Sequence, residues 1–560
     1  MTPGRAVAYA SRMPTFDRRR ALLLLAVLLA GAGLAAGARI ADTQWLVLLG
    51  LAWIALLVAI WPRIDPRTPV TLRTALRLAV FFAAAFAALL VQALRTQVVI
   101  GRAIGARTGA DPETGDVLAD PRRAARARTT SRGRILDRSG SLLAGSVADP
   151  EGFRRTVTDP AAAPVTGYFS PLRYGATGLE AAFDNELSGT GGPGALAREM
   201  DRLLGRPPGR LDLRLTLDLD LQRMAADLLA GRPGAAVLLD ARTGETLALA
   251  SAPTIDPNRI AAIDDAGLAA ATEYWAGIRE DPAAPLLPRA TAGLFTPGST
   301  FKVVTAAAAI EQGIADPDTV YVDTGSLEID GHVIPELNRP DETRDAWTLR
   351  EALGWSLNVV FAQIGIQIGA GGLRQAASSW GFGGEIPYDL PVTPSVVEVD
   401  PGFLDAPVAL AETAFGQGQL LATPLQMALV AAGIANGGDI PRPYLVASME
   451  RPDGSEAWRA RPSVWRRAVR AETAASVGGM MEWAVAEGGI RAAAIPGARV
   501  GGKTGTAETG EGRAPHAWFI GYAEANDRLL AVAVLLERGG GGGTAALPIG
   551  RDLLAAGLGL

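Results

Sequence analysis

The sequence predicts an α+β protein carried on three N-terminal membrane-crossing helices. Three observations predict it: three uncharged apolar runs in the first hundred residues, strand-like text at both ends of the remaining chain, and helical text between those ends. Strands supplied from both ends, with helices between, imply one antiparallel sheet with helices on its faces.

The apolar runs are Ala21–Ala38, Thr43–Pro62 and Leu78–Leu94. Each is about long enough to cross a hydrocarbon core of roughly 30 Å as a helix. A signal peptide followed by two buried helices is the competing reading, and three tandem runs with charged flanks argue against it. Arg5, Arg12, Arg18, Arg19 and Arg20 precede the first run, and Arg39 alone separates the first from the second. Arg63, Arg67, Arg73 and Arg77 separate the second from the third. Arginine-rich flanks stay cytoplasmic, so the N-terminus is expected inside the cell and everything beyond Leu94 outside. Residues 1–97 hold 11 Arg and three Asp, a net of +8, which leaves −13 of the chain's −5 for residues 98–560. So acidic an outer region is a poor nucleic-acid binder. Cysteine is absent, and His332 and His516 form no His-pair motif, so no metal or cofactor is expected and both histidines read as surface or packing residues.

Three regions follow: the membrane region 1–97, a linker and non-catalytic domain 98–230, and a larger domain 231–560. The text from 101 to 132 is rich in Arg, Gly, Asp and Pro and reads as a linker, with Arg122, Arg123, Arg126 and Arg128 suited to lipid headgroups. Gly234–Ser251 reads as two apolar strands joined at Asp240–Gly244. Val500–Ala507, Ala517–Tyr522 and Leu529–Leu536 read as three more, for a five-stranded sheet. The middle, Phe301 to Met449, carries helical pattern with Gly and Pro stops, and Gly539–Gly543 reads as a loop before a final helix.

Of 53 basic residues, 51 are arginine; the two lysines are Lys302 and Lys503. Arginine stays charged at any accessible pH, whereas a desolvated lysine amine can lose its proton, so both positions are candidates for chemistry. Ser299 lies at the start of a helix ended by Gly313, and Lys302, three residues on, shares its face. Such an amine could take the proton of a serine nucleophile; Ser299 could equally be a helix N-cap. Ser356 and Asn358, two residues apart in apolar helical text, read either as groups pointed into a shared cleft or as another cap. Lys503 and Thr504 lie on a strand after Gly501 and Gly502, which would let a substrate backbone approach, and the lysine with its hydroxyl neighbours could hold a carboxylate as a fixed cation. Gly497, Gly502, Lys503 and Thr504 also spell a phosphate-loop pattern, rejected because Pro496 precedes it and no helix can follow in GTAETGEG.

Together, S-x-x-K, S-x-N and K-T-G in this order resemble the penicillin-recognising serine transpeptidases and β-lactamases. FTPGSTFKVVTAAAAIEQG, AFGQGQLLATPLQMA, GGKTGTAE and HAWFIGYA resemble the class B penicillin-binding proteins. So do RGRILDRSGSLLA, YGATGLEAAFDNELSGT and LTLDLDLQRMA, and the likeness spans Arg132 to the C-terminus. The resemblance implies a pedestal or dimerisation-type domain, then a transpeptidase domain with a five-stranded antiparallel sheet and an all-helical subdomain. It implies that Ser299 attacks the D-Ala-D-Ala bond of a peptidoglycan stem peptide and Lys302 accepts its proton. Ser356 and Asn358 would relay protons and position the donor with support from Lys503, and Thr504, Gly505 and Thr506 would bind the terminal carboxylate. The backbone N–H groups of Ser299 and Thr506 would form the oxyanion hole.

An amine from a neighbouring stem would resolve the acyl-enzyme, and β-lactams would inhibit. A SEDS-type glycosyltransferase is the implied membrane partner, since about 130 residues between membrane and hairpin are too few for a glycosyltransferase domain. Family members usually carry one anchor, not three. The glutamate that β-lactamases need for deacylation follows S-x-N; the comparable Pro335–Asn338 text precedes it here, which favours a lasting adduct. A D,D-carboxypeptidase, a β-lactam sensor and a non-catalytic wall-synthesis scaffold are the alternatives. The sensor lacks its expected H-E-x-x-H protease motif.

Overall fold

The computed structural model describes residues 18–37, 40–100, 109–110, 117–118, 125, 129–190, 209–510 and 512–560. Arg5, Arg12, Arg39 and the arginines at 122, 123, 126 and 128 lie outside the described residues. The chain divides into two compact units, the first carrying the apolar helices and the second all that is described from residue 129 onward.

In the first unit, α1 (Arg18–Ala36), α2 (Asp42–Ile60) and α3 (Val70–Leu94) are each long and apolar enough to cross a membrane. The third helix begins eight residues before the apolar run that announced it, so Arg73 and Arg77 are helical. Hydropathy marks where a helix becomes greasy, not where it starts; Pro69 at the N-cap sets the start, and arginine is a good helix former. Arg95 pairs with Asp42 at 2.9 Å and the Trp45 indole donates to Gln92, tying the start of α2 to the end of α3. Gly33 of α1 lies against the Trp45 ring, where a Cβ would stand 2.5 Å away.

The second unit opens with β1 (Ile135–Leu136), β2 (Leu142–Asp149) and β3 (Gly152–Val157), then β4 (Asp212–Leu215) and α4 (Leu219–Leu229). The hairpin β5 (Gly234–Asp240) and β6 (Thr246–Ala252) leads to α5 (Lys302–Glu311), and a second hairpin, β7 (Ser326–Ile329) and β8 (His332–Pro335), leads to α6 (Leu349–Trp355) and α7 (Asn358–Ser379). Then come α8 (Pro424–Ala435), β9 (Val446–Glu450), β10 (Glu456–Arg459) and α9 (Ala471–Ala486). The chain closes on β11 (Arg499–Ala507), β12 (His516–Ala525), β13 (Arg528–Leu536) and α10 (Gly542–Leu558).

The main sheet is antiparallel in the order β6-β5-β13-β12-β11. Its inner strands read as near-continuous apolar runs because both faces are covered, while the edge strand β11 carries Gly, Lys and Thr. Ala235, Val237 and Leu239 pack with Trp518, Ile520 and Ala533 against α5 and α8 on one face. Their neighbours Ala236 and Leu238 pack with Phe519, Val532 and Val534 against α4 and α10 on the other. The helical layer also carries two small two-stranded sheets, Val320–Val322 with Ala346–Thr348, and β7 with β8.

A second, six-stranded sheet runs β10-β9-β4-β1-β2-β3, with β1 parallel to β4 and every other pair antiparallel. Beside it, Glu180 is fully buried and accepts from Arg132 and Arg155. A buried carboxylate is tolerable only when paired in this way. Strands β9 and β10 come from inside the expected 231–560 domain yet complete a sheet begun at residue 135, so the two expected domains share an element.

Candidate active site

Ser299 sits in a 3-10 turn, Gly298–Phe301, that runs directly into α5. The turn is gripped from several sides. Gly298 N donates to Gly416 O at 2.9 Å, Phe295 and Ala422 exchange two backbone hydrogen bonds, and the Trp518 indole donates to Thr296 O at 2.9 Å. A Cβ at Gly416 would lie 1.8 Å from Gly298 O, and one at Gly505 would lie 2.7 Å from Pro297 O. Glycine at these two places therefore lets three backbones meet. Phe301, not Ser299, occupies the N-cap of α5, and Ser299 makes no capping bond. The cap reading of Ser299 is set aside.

Lys302, the first residue of α5, is fully buried. Its Nζ donates to Ser356 O at 2.7 Å, to Asn358 Oδ1 at 2.8 Å and, at 3.4 Å, to Ser356 Oγ. Among the described residues no hydrogen bond joins Nζ to Ser299 Oγ. Ser356 closes α6 in the left-handed region, at φ 67°, and Asn358 opens α7, so the S-x-N text is the corner between two helices. Lys503, on β11 and 2% exposed, donates to Ser356 Oγ at 2.8 Å and to Thr504 O at 2.9 Å. Both lysines of the chain therefore meet on one hydroxyl.

Burial drives the Lys302 amine well below the ordinary lysine range; the nearby Lys503 charge pushes the same way and Glu336 opposes it. Burial alone brings Lys503 down to about 7. Burial therefore leaves Lys503 only partly charged near neutral pH where its position had implied a fixed cation, since a buried amine without a carboxylate partner sheds charge readily. The glycines ahead of it are also corrected. Gly501 makes room for the Tyr522 ring and Gly502 for the Phe519 ring, not for a substrate. Thr504 is half-buried, while Thr506 is exposed, its Oγ1 accepting from Gly542 N at 3.2 Å. Lys503 and Thr504 lie mid-strand, away from the helix start that the rejected phosphate-loop reading requires.

Sequence reasoning took Pro335–Asn338 only for its order in the chain, yet the segment packs against the S-x-N corner. Glu336 Oε2 accepts from Val359 N at 2.9 Å, its Oε1 accepts from Leu337 N and Asn338 N, and Asn338 Nδ2 donates to Ser356 O at 3.0 Å. Nothing in the spacing announces this; the available signal is two polar residues flanking an exposed leucine next to a hairpin end. Of the histidines, His516 Nδ1 accepts from Arg538 N and its ring meets Phe295 edge-on, while His332 faces Glu412.

A buried amine pair converges on a helix-corner serine, near a second serine held at a helix start against the edge strand, an arrangement suited to serine acyl transfer. A family model of the penicillin binding protein transpeptidase domain matches residues 234–555, and one of the penicillin binding protein A dimerisation domain matches 132–210. The chain belongs to the class B penicillin-binding proteins. The peptidoglycan D,D-transpeptidase PbpA of Mycolicibacterium smegmatis is 37% identical to it over 84% of this chain and 96% of that protein. Penicillin-binding protein 3 of Bacillus subtilis is 30% identical over 66% of this chain and 54% of that protein. Among solved structures, penicillin-binding protein A from M. tuberculosis as its penicillin G acyl-enzyme superposes with a TM-score of 0.70 at 36% identity, covering 77% of this chain and 100% of that one.

Proposed function

We propose that the protein is a membrane-anchored peptidoglycan D,D-transpeptidase that works through a serine acyl-enzyme and is trapped by β-lactams. The observation that carries the reading is the meeting of Lys302 and Lys503 on Ser356 beside the pinned Ser299 turn. Burial keeps a fraction of each amine neutral, and a neutral amine is what a serine nucleophile requires. Ser299 Oγ attacks the carbonyl carbon between the two terminal D-alanines; its proton passes to Lys302 Nζ as the new C–O bond forms. The C–N bond then breaks, and the proton reaches the departing D-alanine amine through Ser356 Oγ, which Lys503 orients. Asn358 holds the donor peptide; Thr504, Gly505 and Thr506 take its carboxylate. The N–H groups of Ser299 and Thr506 face the developing oxyanion, an interaction worth about 3–4 kcal/mol per donor in comparable sites. A stem-peptide amine then attacks the ester, releases Ser299 and completes the cross-link.

Hydrolysis would use the same residues, so a D,D-carboxypeptidase is the nearest alternative; D-alanine release that depends on added amine distinguishes them. The arginine distribution supports a cytoplasmic N-terminus and an extracytoplasmic catalytic unit. Residues 98–230 are proposed as a pedestal for a SEDS-type glycosyltransferase. The test is labelling by a fluorescent penicillin followed by denaturing electrophoresis. Ser299→Ala should abolish the label with little change in thermal melting of the outer unit, and wild-type labelling of that variant overturns the assignment. The wild-type adduct should persist for many minutes; rapid turnover of penicillin would make the protein a β-lactamase.

A further inference from the structure

We propose that Glu336 and Asn338 are positioning residues that hold the Ser356–Asn358 corner from outside, with the Glu336 carboxylate serving as a countercharge to Lys302. The proposal rests on Ser299 being the nucleophile and Lys302 its base, as argued above.

The geometry begins with helix α7, whose formal N-cap, Leu357, has no side chain able to accept. The first N–H groups of any helix lack an internal partner. Glu336 Oε2 takes that of Val359 at 2.9 Å, from 23 residues earlier in the chain. A carboxylate there is also favoured by the helix dipole. The other oxygen accepts from Leu337 N and Asn338 N, both at 3.0 Å, which closes the loop on itself. The loop is anchored behind by Glu336 N donating to Gly325 O at 2.9 Å. Asn338 Nδ2 then reaches Ser356 O, the same carbonyl that Lys302 Nζ holds at 2.7 Å. Both acceptor directions of one carbonyl are thus used, one by Lys302 and one by this loop. The loop and the lysine fix the corner together.

Charge supplies the second half. The groups facing Lys302 are Lys503 on β11, which disfavours its proton, and Glu336, which favours it. Burial raises the Glu336 carboxyl above the ordinary carboxylate range and the buried Asp323 adds to this, while the Val359 and Asn338 N–H groups and Lys302 favour its charged form. Burial and Lys503 both disfavour the Lys302 proton, and half-buried Glu336, just beyond β8, is the group that opposes them. The carboxylate is not placed as a hydrolytic base: both its oxygens already accept backbone N–H groups, one of them from the helix.

The test uses the full-length protein in detergent and the second-order rate of acylation by a fluorescent penicillin across pH. Wild type should show a limb where acylation rises as Lys302 deprotonates. In Glu336→Gln that limb should move to lower pH by roughly one unit, the shift expected on losing one nearby opposite charge. The plateau should drop about fivefold, because an amide can no longer accept at both ends. Glu336→Asp should keep the limb near its wild-type position with a lower plateau. Asn338→Ala, which changes no charge, should lower the plateau and leave the limb in place. A merely structural role would lower plateaus without moving any limb. The inference is overturned if the Glu336→Gln limb coincides with wild type, or if that variant's penicilloyl adduct lives several-fold longer, which would mark Glu336 as a deacylating base. If Glu336→Gln does not fold, a displaced limb in Glu336→Asp or a full plateau in Asn338→Ala overturns it equally. Failure of the wild type to label, or labelling of Ser299→Ala, sinks the acyl-enzyme reading instead and is seen before any Glu336 variant is made.

Discussion

Ser356 is a non-glycine residue at φ 67°, a conformation that costs of order 1 kcal/mol or more. In return its hydroxyl and its carbonyl are presented to different lysine contacts at one point. The two lysines differ in what they can tolerate. Lys302→Arg replaces an amine that can give up its proton with a guanidinium that cannot, so acylation should fall about 10²–10⁴-fold. Lys503→Arg should acylate faster than Lys302→Arg but melt lower than wild type, since a larger, permanently charged group enters a site that is 2% exposed. Equal acylation rates for the two variants would refute the base role of Lys302. Burial of Lys503 also links stability to pH. Unfolded, the amine titrates at about 10.4; folded, at about 7. Between these values the unfolded chain holds the extra proton, so stability should fall as pH drops from about 10.4 to about 7 and the contribution should level off below. Melting of the outer unit against pH, compared with Lys503→Met, measures it: the variant should lose that part of the slope. Both lysines stood out in the sequence because arginine fills the other basic positions. Which atoms they reach did not, because hydrogen-bond partners 54 and 147 residues away leave no trace in local pattern.

At the level of elements, the Ser299 turn is held by glycines that belong to other segments. Gly416→Ala would bring a Cβ to 1.8 Å from Gly298 O and place a side chain at φ +94°. Acylation should fall tenfold or more, because displacements near 1 Å at a reacting group are that costly, while penicillin labelling remains confined to Ser299. An acylation rate equal to wild type would show that the contact does not fix the turn. The inner strands of the main sheet were readable because each is buried on both faces and so written as an apolar run, which the edge strand β11, RVGGKTGTA, is not. Strand β10 was not, since all four of its residues are exposed and no alternation marks it. The start of α3 was misplaced for the related reason that hydropathy records burial in lipid and not helix geometry.

For the molecule as a whole, the arginine asymmetry and three apolar helices lead to a specific topology. Protease added to intact spheroplasts should digest the region from residue 98 onward and spare the first twenty residues. A shielded catalytic unit with an exposed N-terminus would reverse the orientation and remove the wall substrate. The order of the motifs revealed the reaction class, and the absence of cysteine excluded thiolate metal chemistry. What the text could not reveal is that residues 446–459 leave the catalytic layer to lie beside β4. Hydrophobic pattern records which face of a strand is covered, not which strand lies alongside. That shared sheet has a consequence for inheritance. A genetic crossover near residue 231 would join β4 from one parent to β9 from another, and their register, Leu213 to Met449 and Leu215 to Val446, would have to match by luck. Exchange between relatives should therefore succeed when both stretches travel together, and chimeras cut at the apparent boundary should accumulate as insoluble protein.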